Sequence, residues 1–231
     1  MSANHAAFNL IFRFVENYIS PIAGRISSQR HVMAIRDGFI SAMPFMIVGS
    51  FLLVFAYPPF SPDTTWGFAR AWLDLAKEFE GRILTPFDMT MGIMSIYICA
   101  AISYNLGKHY EKSNQLDPFM CAMLSIMAFL LIAAPKTNGT LPVDSLGGTG
   151  IFTAILVAIY CVEMMRFLKA HNIGIRLPDQ VPPMIKNSFD LLIPVLVVVL
   201  TLYPLSLFIQ HHFDMLIPQA IMAILDRKSV V

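Results

Sequence analysis

Five long apolar stretches constrain the fold of this chain more than any other feature. They are Phe39–Tyr57, Met89–Leu106, Pro118–Ala134, Gly148–Phe167 and Leu191–Ile209. The fourth stretch carries Glu163 and Arg166 near its end, and the other four carry no charged residue. A helix of about 20 apolar residues crosses the hydrocarbon core of a bilayer, and it satisfies its own backbone hydrogen bonds. The sequence therefore predicts an all-α membrane protein with about five transmembrane helices.

Composition supports this prediction. Of the 231 residues, 56% are hydrophobic and 13% are charged, whereas soluble domains carry about 25% charged residues. Short core helices of a soluble protein are the alternative, and five such stretches in one chain argue against it. The net charge of +1 says little about partners, and no basic tract suggests a nucleic-acid partner. Cys99, Cys121 and Cys161 lie in apolar stretches, which favours buried thiols over disulfides or a zinc site.

Lysine and arginine are concentrated in alternate connecting segments, which predicts the orientation. These residues are Arg13, Arg25, Arg30 and Arg36 before the first span, Lys108 and Lys112 after the second, and Lys169, Arg176 and Lys186 after the fourth. The N-terminus is therefore predicted to be cytoplasmic. We expect a cytoplasmic amphipathic segment at residues 1–38, a five-span membrane domain at residues 39–209, and a C-terminal tail at residues 210–231.

Two segments outside the spans have amphipathic patterns. Residues Phe8–Ile22 place apolar side chains at helical spacing, which fits an interfacial helix and equally a helix packed on the bundle. Residues Asp63–Glu80 mix charges with aromatic side chains, and this predicts a helix lying at the membrane surface. Trp66 and Trp72 are interpreted as interfacial anchors, with sugar stacking as the alternative.

Prolines and glycines inside the spans have two interpretations. Pro44 and Gly49 in the first span, and Pro194 and Pro204 in the fifth, favour either ordinary kinks or broken helices at a binding site. The glycines at positions 147, 148 and 150 predict either a tight turn into the fourth span or a flexible hairpin.

The sequence contains no recognisable catalytic, cofactor-binding or metal-binding motif. We interpret His211, His212 and Asp214 as a solvated turn after the fifth span rather than a metal site. Glu163 and Arg166 lie three residues apart, and this spacing favours a local ion pair over a proton relay. Asp88 is expected at a solvated helix start, with an entry path for substrate as the alternative.

Several short motifs resemble those of one transporter family. The segment from Ile35 to Pro44 resembles the entry into the first span of lactose/cellobiose-type permeases, the IIC components of the bacterial phosphotransferase system (PTS). Gly92 begins a similar Gly-Ile-Met-Ser element in the second span. The more specific match comprises Leu177, Pro178, Asp179, Val181, Pro182 and Pro183, followed by Ser188, Phe189 and Pro194. Its prolines form a stiff connector that either meets a phosphoryl donor or holds two helices apart.

The resemblance implies a function. The family takes up disaccharides such as cellobiose, lactose or diacetylchitobiose across the bacterial inner membrane and couples uptake to phosphorylation. It implies a phosphorylated IIB partner at the cytoplasmic face, a homodimer and no cofactor. Family members hold the sugar in a back half whose motifs we do not find, so the substrate-binding residues are unknown and a truncated chain is expected. A transport-incompetent scaffold and an unrelated helical transporter subunit are the alternatives.

Overall fold

The computed structural model describes residues 20–135, 142–175 and 189–228, and all regular elements in these ranges are helices. They are α1 (Ser20–Ser27), α2 (Arg30–Ala56), α3 (Gly67–Asp88), α4 (Met94–Asn114), α5 (Pro118–Ala133), α6 (Ile151–Ala170), α7 (Leu192–Phe213) and α8 (Ile217–Lys228). A short 3-10 turn at Gly148–Gly150 leads directly into α6.

Helix α4 forms the centre of the bundle and packs against α2, α5 and α6. Its buried face includes Ile98, Ile102 and Leu106, none of which is exposed. Helix α2 approaches α4 closely through small residues, and a side chain at Gly38 would collide with Ile102. Small residues at such contacts let helix backbones approach each other within a membrane.

The prediction of an all-helical membrane protein is confirmed. Helix α2, the segment Gly148–Ala170 and helix α7 are long and apolar enough to cross a bilayer. The other two predicted spans are the helices α4 and α5. The last turns of α4 carry charged residues, and α5 is shorter, with 16 residues.

Some boundaries differ from the predicted ones. Helix α2 begins at Arg30 rather than Phe39, because polar residues continue the helix beyond the apolar core. Helix α4 begins at Met94 rather than Met89, after a tight turn in which a side chain at Gly92 would lie 2.5 Å from the carbonyl oxygen of Asp88. Asp88 is the last residue of α3, so its prediction as a helix start was wrong.

The prolines do not break their helices. Pro44 lies within the uninterrupted helix α2, and Pro204 lies within α7. Pro194 is in the first turn of α7, where a missing backbone N–H costs little. These helices are therefore not broken at the prolines.

The glycine-rich entry into α6 is a tight turn. The side chain of Ser95 on α4 donates a hydrogen bond to the carbonyl of Gly147, and the Ser95 backbone N–H donates to the carbonyl of Leu146 at 3.0 Å. A side chain at Gly150 would collide with the Ser145 carbonyl. These contacts fix the start of α6 against α4.

Candidate functional site

A polar cluster joins three helices at one end of the bundle, and Glu163 on α6 is at its centre. One carboxylate oxygen accepts a hydrogen bond from Arg166 Nη1 at 2.8 Å. The other accepts from the hydroxyl of Tyr110 at 2.7 Å and lies 3.0 Å from His31 Nε2. Tyr110 belongs to α4 and His31 to α2, so a single carboxylate connects α2, α4 and α6.

Two guanidinium groups lie near the ring of Tyr110. The guanidinium carbon of Arg166 is 4.7 Å from the ring centroid, and that of Arg30 is 5.5 Å from it. Arg166 also donates a hydrogen bond to the Tyr110 hydroxyl at 3.2 Å. Cations within about 6 Å of an aromatic face are attracted by it. The cluster thus combines two arginines and a histidine with one carboxylate around a buried tyrosine.

The predicted local ion pair between Glu163 and Arg166 is confirmed. The sequence pattern did not reveal His31 and Tyr110 as partners of Glu163. His31 is 132 positions away from Glu163 and Tyr110 is 53 positions away, so no local spacing rule relates them. The available signal was the occurrence of polar residues near the predicted cytoplasmic ends of three different spans.

A second polar contact lies at the ends of α4, α6 and α7. Lys169 Nζ donates a hydrogen bond to the carbonyl of Gln115 at 2.6 Å and lies 3.6 Å from a carboxylate oxygen of Asp190. A cavity of about 560 Å³ is adjacent, and Asn114, Lys169 and Asp190 are among the residues that line it. The cavity walls therefore combine amide, ammonium and carboxylate groups.

Both polar contacts agree with the predicted orientation. His31 and Tyr110 belong to two segments that are predicted to be cytoplasmic, and Glu163 lies near the predicted cytoplasmic end of the fourth span. Their hydrogen bonds bring these segments to the same end of the bundle, as alternate crossing of a membrane requires. Which side of the membrane this end faces stays a prediction.

The histidine pair is placed differently from its prediction. His211 and His212 lie in the last turn of α7, not in a turn after it, and Asp214 is the left-handed residue that ends the helix, with φ 53°. Backbone hydrogen bonding continues to the end of the helix, where the N–H of Asp214 donates to the carbonyl of Gln210 at 3.0 Å. The ring Nδ1 of His212 also lies 3.1 Å from the carbonyl of Phe208. Within the described ranges, no group of three or more histidine, cysteine, aspartate or glutamate side chains is arranged to hold a metal ion.

The predicted surface helix corresponds to α3, which packs mainly against α2. Trp66 and Trp72 lie beside the C-terminal end of α2, whereas the Glu163 cluster lies beside its N-terminal end. The tryptophans therefore do not contribute to the polar cluster.

The residues of the family motifs are only partly described. Pro44, Gly92, Phe189 and Pro194 are placed by the structure, and Phe189 is 40% exposed just before α7. The rest of the proline-rich motif lies outside the described residues, namely Leu177, Pro178, Asp179, Val181, Pro182, Pro183 and Ser188. The amphipathic stretch Phe8–Ile22 also lies outside them, except for its last three residues in α1.

Comparison with known proteins identifies related permeases. The chain is 35% identical over 206 residues to the cellobiose-specific EIIC component of the PTS of Geobacillus stearothermophilus, covering 81% of this chain and 43% of that protein. It is 30% identical to the lichenan permease IIC component of Bacillus subtilis, with 87% and 46% coverage. It is 32% identical to the lactose-specific EIICB component of Streptococcus mutans, with 87% and 35% coverage. The chain thus spans less than half the length of these relatives.

A solved structure shares the fold. The transporter ChbC is the IIC component of the phosphotransferase system specific for N,N'-diacetylchitobiose, and it superimposes with a TM-score of 0.77 at 31% identity, covering 94% of this chain and 51% of that one. The model of the family "Phosphotransferase system, EIIC" matches residues 36–230. The chain therefore belongs to the EIIC family of the PTS, within its lactose/cellobiose group.

Proposed function

We propose that this chain forms the membrane scaffold of a disaccharide permease of the PTS, as a multi-pass protein of the bacterial inner membrane. The observation that carries the proposal is the match to ChbC over 94% of this chain. The relatives named for cellobiose and lactose support a disaccharide of that kind as the substrate. Because the chain spans about half of these proteins, the transport activity of the whole permease is part of the proposal.

The geometry of the Glu163 cluster supports a scaffold role. A carboxylate offers about four acceptor sites, and Glu163 uses three of them for partners on three helices. A group engaged in this way holds helices in register, and it is poorly suited to taking up and releasing a proton in each transport cycle. We therefore assign Glu163 to bracing α2, α4 and α6 rather than to a proton relay.

The proposed partner is a phosphorylated IIB protein at the cytoplasmic face. Relatives from Streptococcus mutans and Lactococcus lactis are named EIICB components, which supports a partner of this type. The end of the bundle that carries Lys169 and Asp190 is the one predicted to be cytoplasmic, so we place the partner there. We also propose a homodimer, as the family resemblance implies.

The test is sugar uptake by proteoliposomes that are supplied with the phosphoryl-donor proteins. We expect no uptake of labelled cellobiose with this chain alone. We expect uptake as sugar phosphate when the chain is combined with a separate polypeptide comprising the remaining part of the Geobacillus relative. Saturable uptake by the chain alone would contradict the proposal that this chain forms only the scaffold part of the permease. Stable assembly of the two polypeptides without any uptake would contradict the permease assignment.

The runner-up function is a transport-incompetent membrane scaffold. The observation that favours it is the buried core around α4, which the described helices of the chain form among themselves. The same proteoliposome experiment separates the two functions, because a transport-incompetent scaffold gives no uptake with either preparation.

A further inference from the structure

An apolar groove of about 350 Å³ separates the C-terminal end of α2 from α3. Its walls include Phe55 of α2 and Phe68, Trp72, Leu75 and Ile83 of α3. The groove is open, since Phe68 is 61% exposed and Leu75 is 57% exposed. Its volume lies at the lower end of the range of ligand-binding pockets, about 300–1,000 Å³.

The polar groups beside the groove are used to hold its walls together. The indole N–H of Trp72 donates to the carbonyl of Phe55 at 3.2 Å, one of the last carbonyls of α2, which have no partner within the helix. The hydroxyl of Tyr57 donates to a carboxylate oxygen of Glu80 at 2.9 Å. With these groups engaged, the groove offers an occupant mainly hydrocarbon surface.

An aromatic rim surrounds one end of the groove. The ring centroid of Phe60 lies 5.8 Å from that of Trp66 and 5.7 Å from that of Trp72. The ring centroids of Phe68 and Trp72 are 6.0 Å apart. Edge-to-face contacts of this kind are favourable between aromatic rings. Tryptophan is also enriched where the bilayer meets water, so the rim indicates the depth of the groove in the membrane.

The neighbouring helices indicate the same depth. Helix α2 is apolar and long enough to cross a bilayer, and the groove lies at its end. Helix α3 is not among the helices that are apolar enough to cross a bilayer, and its sequence includes the charged residues Arg70, Asp74, Lys77, Glu78 and Arg82. An amphipathic helix of this kind lies in the interface, with its apolar face about 5–10 Å deep at the boundary of the acyl chains.

We propose that this groove binds an acyl chain of a bilayer phospholipid. Phospholipid chains are the apolar molecules present at this depth, and a flexible chain can follow an open groove between two helices. The bound lipid fills the space between α3 and α2, and thereby keeps α3 attached to the bundle. The proposal does not depend on sugar transport.

Of the two tryptophans of the chain, Trp72 lines the groove and provides the probe, and Trp66 lies in the aromatic rim. In the variant Trp66→Phe, Trp72 is the sole tryptophan. This protein is placed in nanodiscs large enough for two chains and containing phosphatidylcholine brominated on its acyl chains. Bromine quenches tryptophan fluorescence only at contact, so we expect strong quenching of Trp72 relative to unbrominated lipid.

A pair of further variants separates a bound chain from bulk lipid. Ala71→Phe fills the groove, because Ala71 lines it. Gly81→Phe adds the same ring to α3 at a position with open space around it. We expect Ala71→Phe to reduce the quenching at least twofold and Gly81→Phe to leave it unchanged. Equal quenching in all three proteins would overturn the proposal, as would a lack of quenching of Trp72, the result expected if another protein copy covers the groove.

A second measurement avoids substitutions in the groove. After gentle delipidation in detergent, native mass spectrometry of the unaltered chain should show one retained phospholipid per chain. Complete loss of phospholipid under conditions that leave the chain folded would overturn the proposal. The measurement therefore decides the matter even if Ala71→Phe fails to fold.

Discussion

Helices α3 and α4 are neighbours in the chain but differ in their surroundings. Helix α4 is enclosed by α2, α5 and α6, and eight of its residues are buried. In α3 the buried residues are Ala69 and Ala76, and its packing is mainly against α2. The first helix is part of the bundle core, whereas the second is attached along one side.

This difference shows that the hydropathy of a helix does not indicate how deeply the helix is buried in the bundle. Helix α4 is not among the helices that meet the length and hydropathy limits for a span, although it is the central one. Its buried side contains Ser95, Cys99, Ser103 and Gly107 at four-residue spacing, which lets neighbouring helices approach closely. The more apolar helix α7 has four buried residues and exposes leucines toward the surroundings.

The largest expected effect comes from truncating the core of α4. Ile102 is fully buried and contacts the Gly38 region of α2, so Ile102→Ala should lower the free energy of unfolding by about 2–5 kcal/mol. Leu75→Ala on α3 removes a side chain that is 57% exposed and should change it little. Thermal unfolding of both variants in the same detergent measures the difference. Equal shifts would contradict the distinction between the two helices.

The next effect concerns the cluster that holds α4 to α2 and α6. Glu163→Gln removes the charge that accepts three hydrogen bonds, and bonds to charged groups contribute about 1.5–3 kcal/mol each when well shielded. Since the Glu163 side chain is 32% exposed, solvent screens it, and we expect a loss of about 2 kcal/mol in total.

A control and a double mutant sharpen this second test. Glu111→Gln changes an exposed glutamate on α4 and should be neutral in the same unfolding assay. Combining His31→Ala with Glu163→Gln should cost less than the sum of the single effects, because the two side chains share one contact. Strict additivity would show that the contact between α2 and α6 does not contribute to stability.

A smaller effect is expected between α6 and α7. The hydroxyls of Tyr160 and Thr201 are 2.6 Å apart, and hydrogen bonds between membrane helices contribute about 0.6 kcal/mol on average. Tyr160→Phe should lower the free energy of unfolding by about that amount, measured by denaturant titration. The exposed Tyr104 provides the control variant Tyr104→Phe, which should leave the free energy of unfolding unchanged. If Tyr160→Phe lowers the free energy of unfolding by more than about 2 kcal/mol, the hydroxyl contact does not have the average strength of such a bond.

The smallest effect is expected where α3 meets the end of α2. The hydrogen bond to Glu80, together with its charge, raises the pKa of Tyr57 above its ordinary value of 10.0. Because the pKa is raised, the bond contributes fully to folding stability at pH values below the ordinary pKa of tyrosine. This contribution is lost as the pH rises through the pKa of Tyr57 in the folded protein. Nuclear magnetic resonance of labelled tyrosine rings should show this delayed titration. Glu80→Gln should lower the pKa of Tyr57, and an unchanged pKa would contradict the contact.

The sequence was sufficient to predict α2 to α7 and their order, but not α8, which lies in the segment expected to be a C-terminal tail. Long uncharged stretches require helices in lipid, and an alternation of charge and aromatic residues predicted α3. Helix ends were less predictable: α2 extends back to Arg30 and α4 extends to Asn114, because helices continue into polar segments that no apolar pattern marks.

The candidate site was only partly predictable. Glu163 and Arg166 were paired correctly because a spacing of three residues places them on one helix face. His31 and Tyr110 join them through contacts between helices distant in sequence, and helix packing determines those contacts. The groove beside Trp72 depends in the same way on how α3 packs against α2.

The most direct test of the account is amide hydrogen exchange of the chain in nanodiscs, followed by mass spectrometry. We expect the strongest protection in α4, between Ile98 and Tyr110, and clearly faster exchange in α3. We also expect Glu163→Gln to accelerate exchange at the joined ends of α2, α4 and α6 but not in α3. Equal protection of α3 and α4, together with no response to Glu163→Gln, would contradict the description of α4 as the stable core helix and α3 as a peripheral helix.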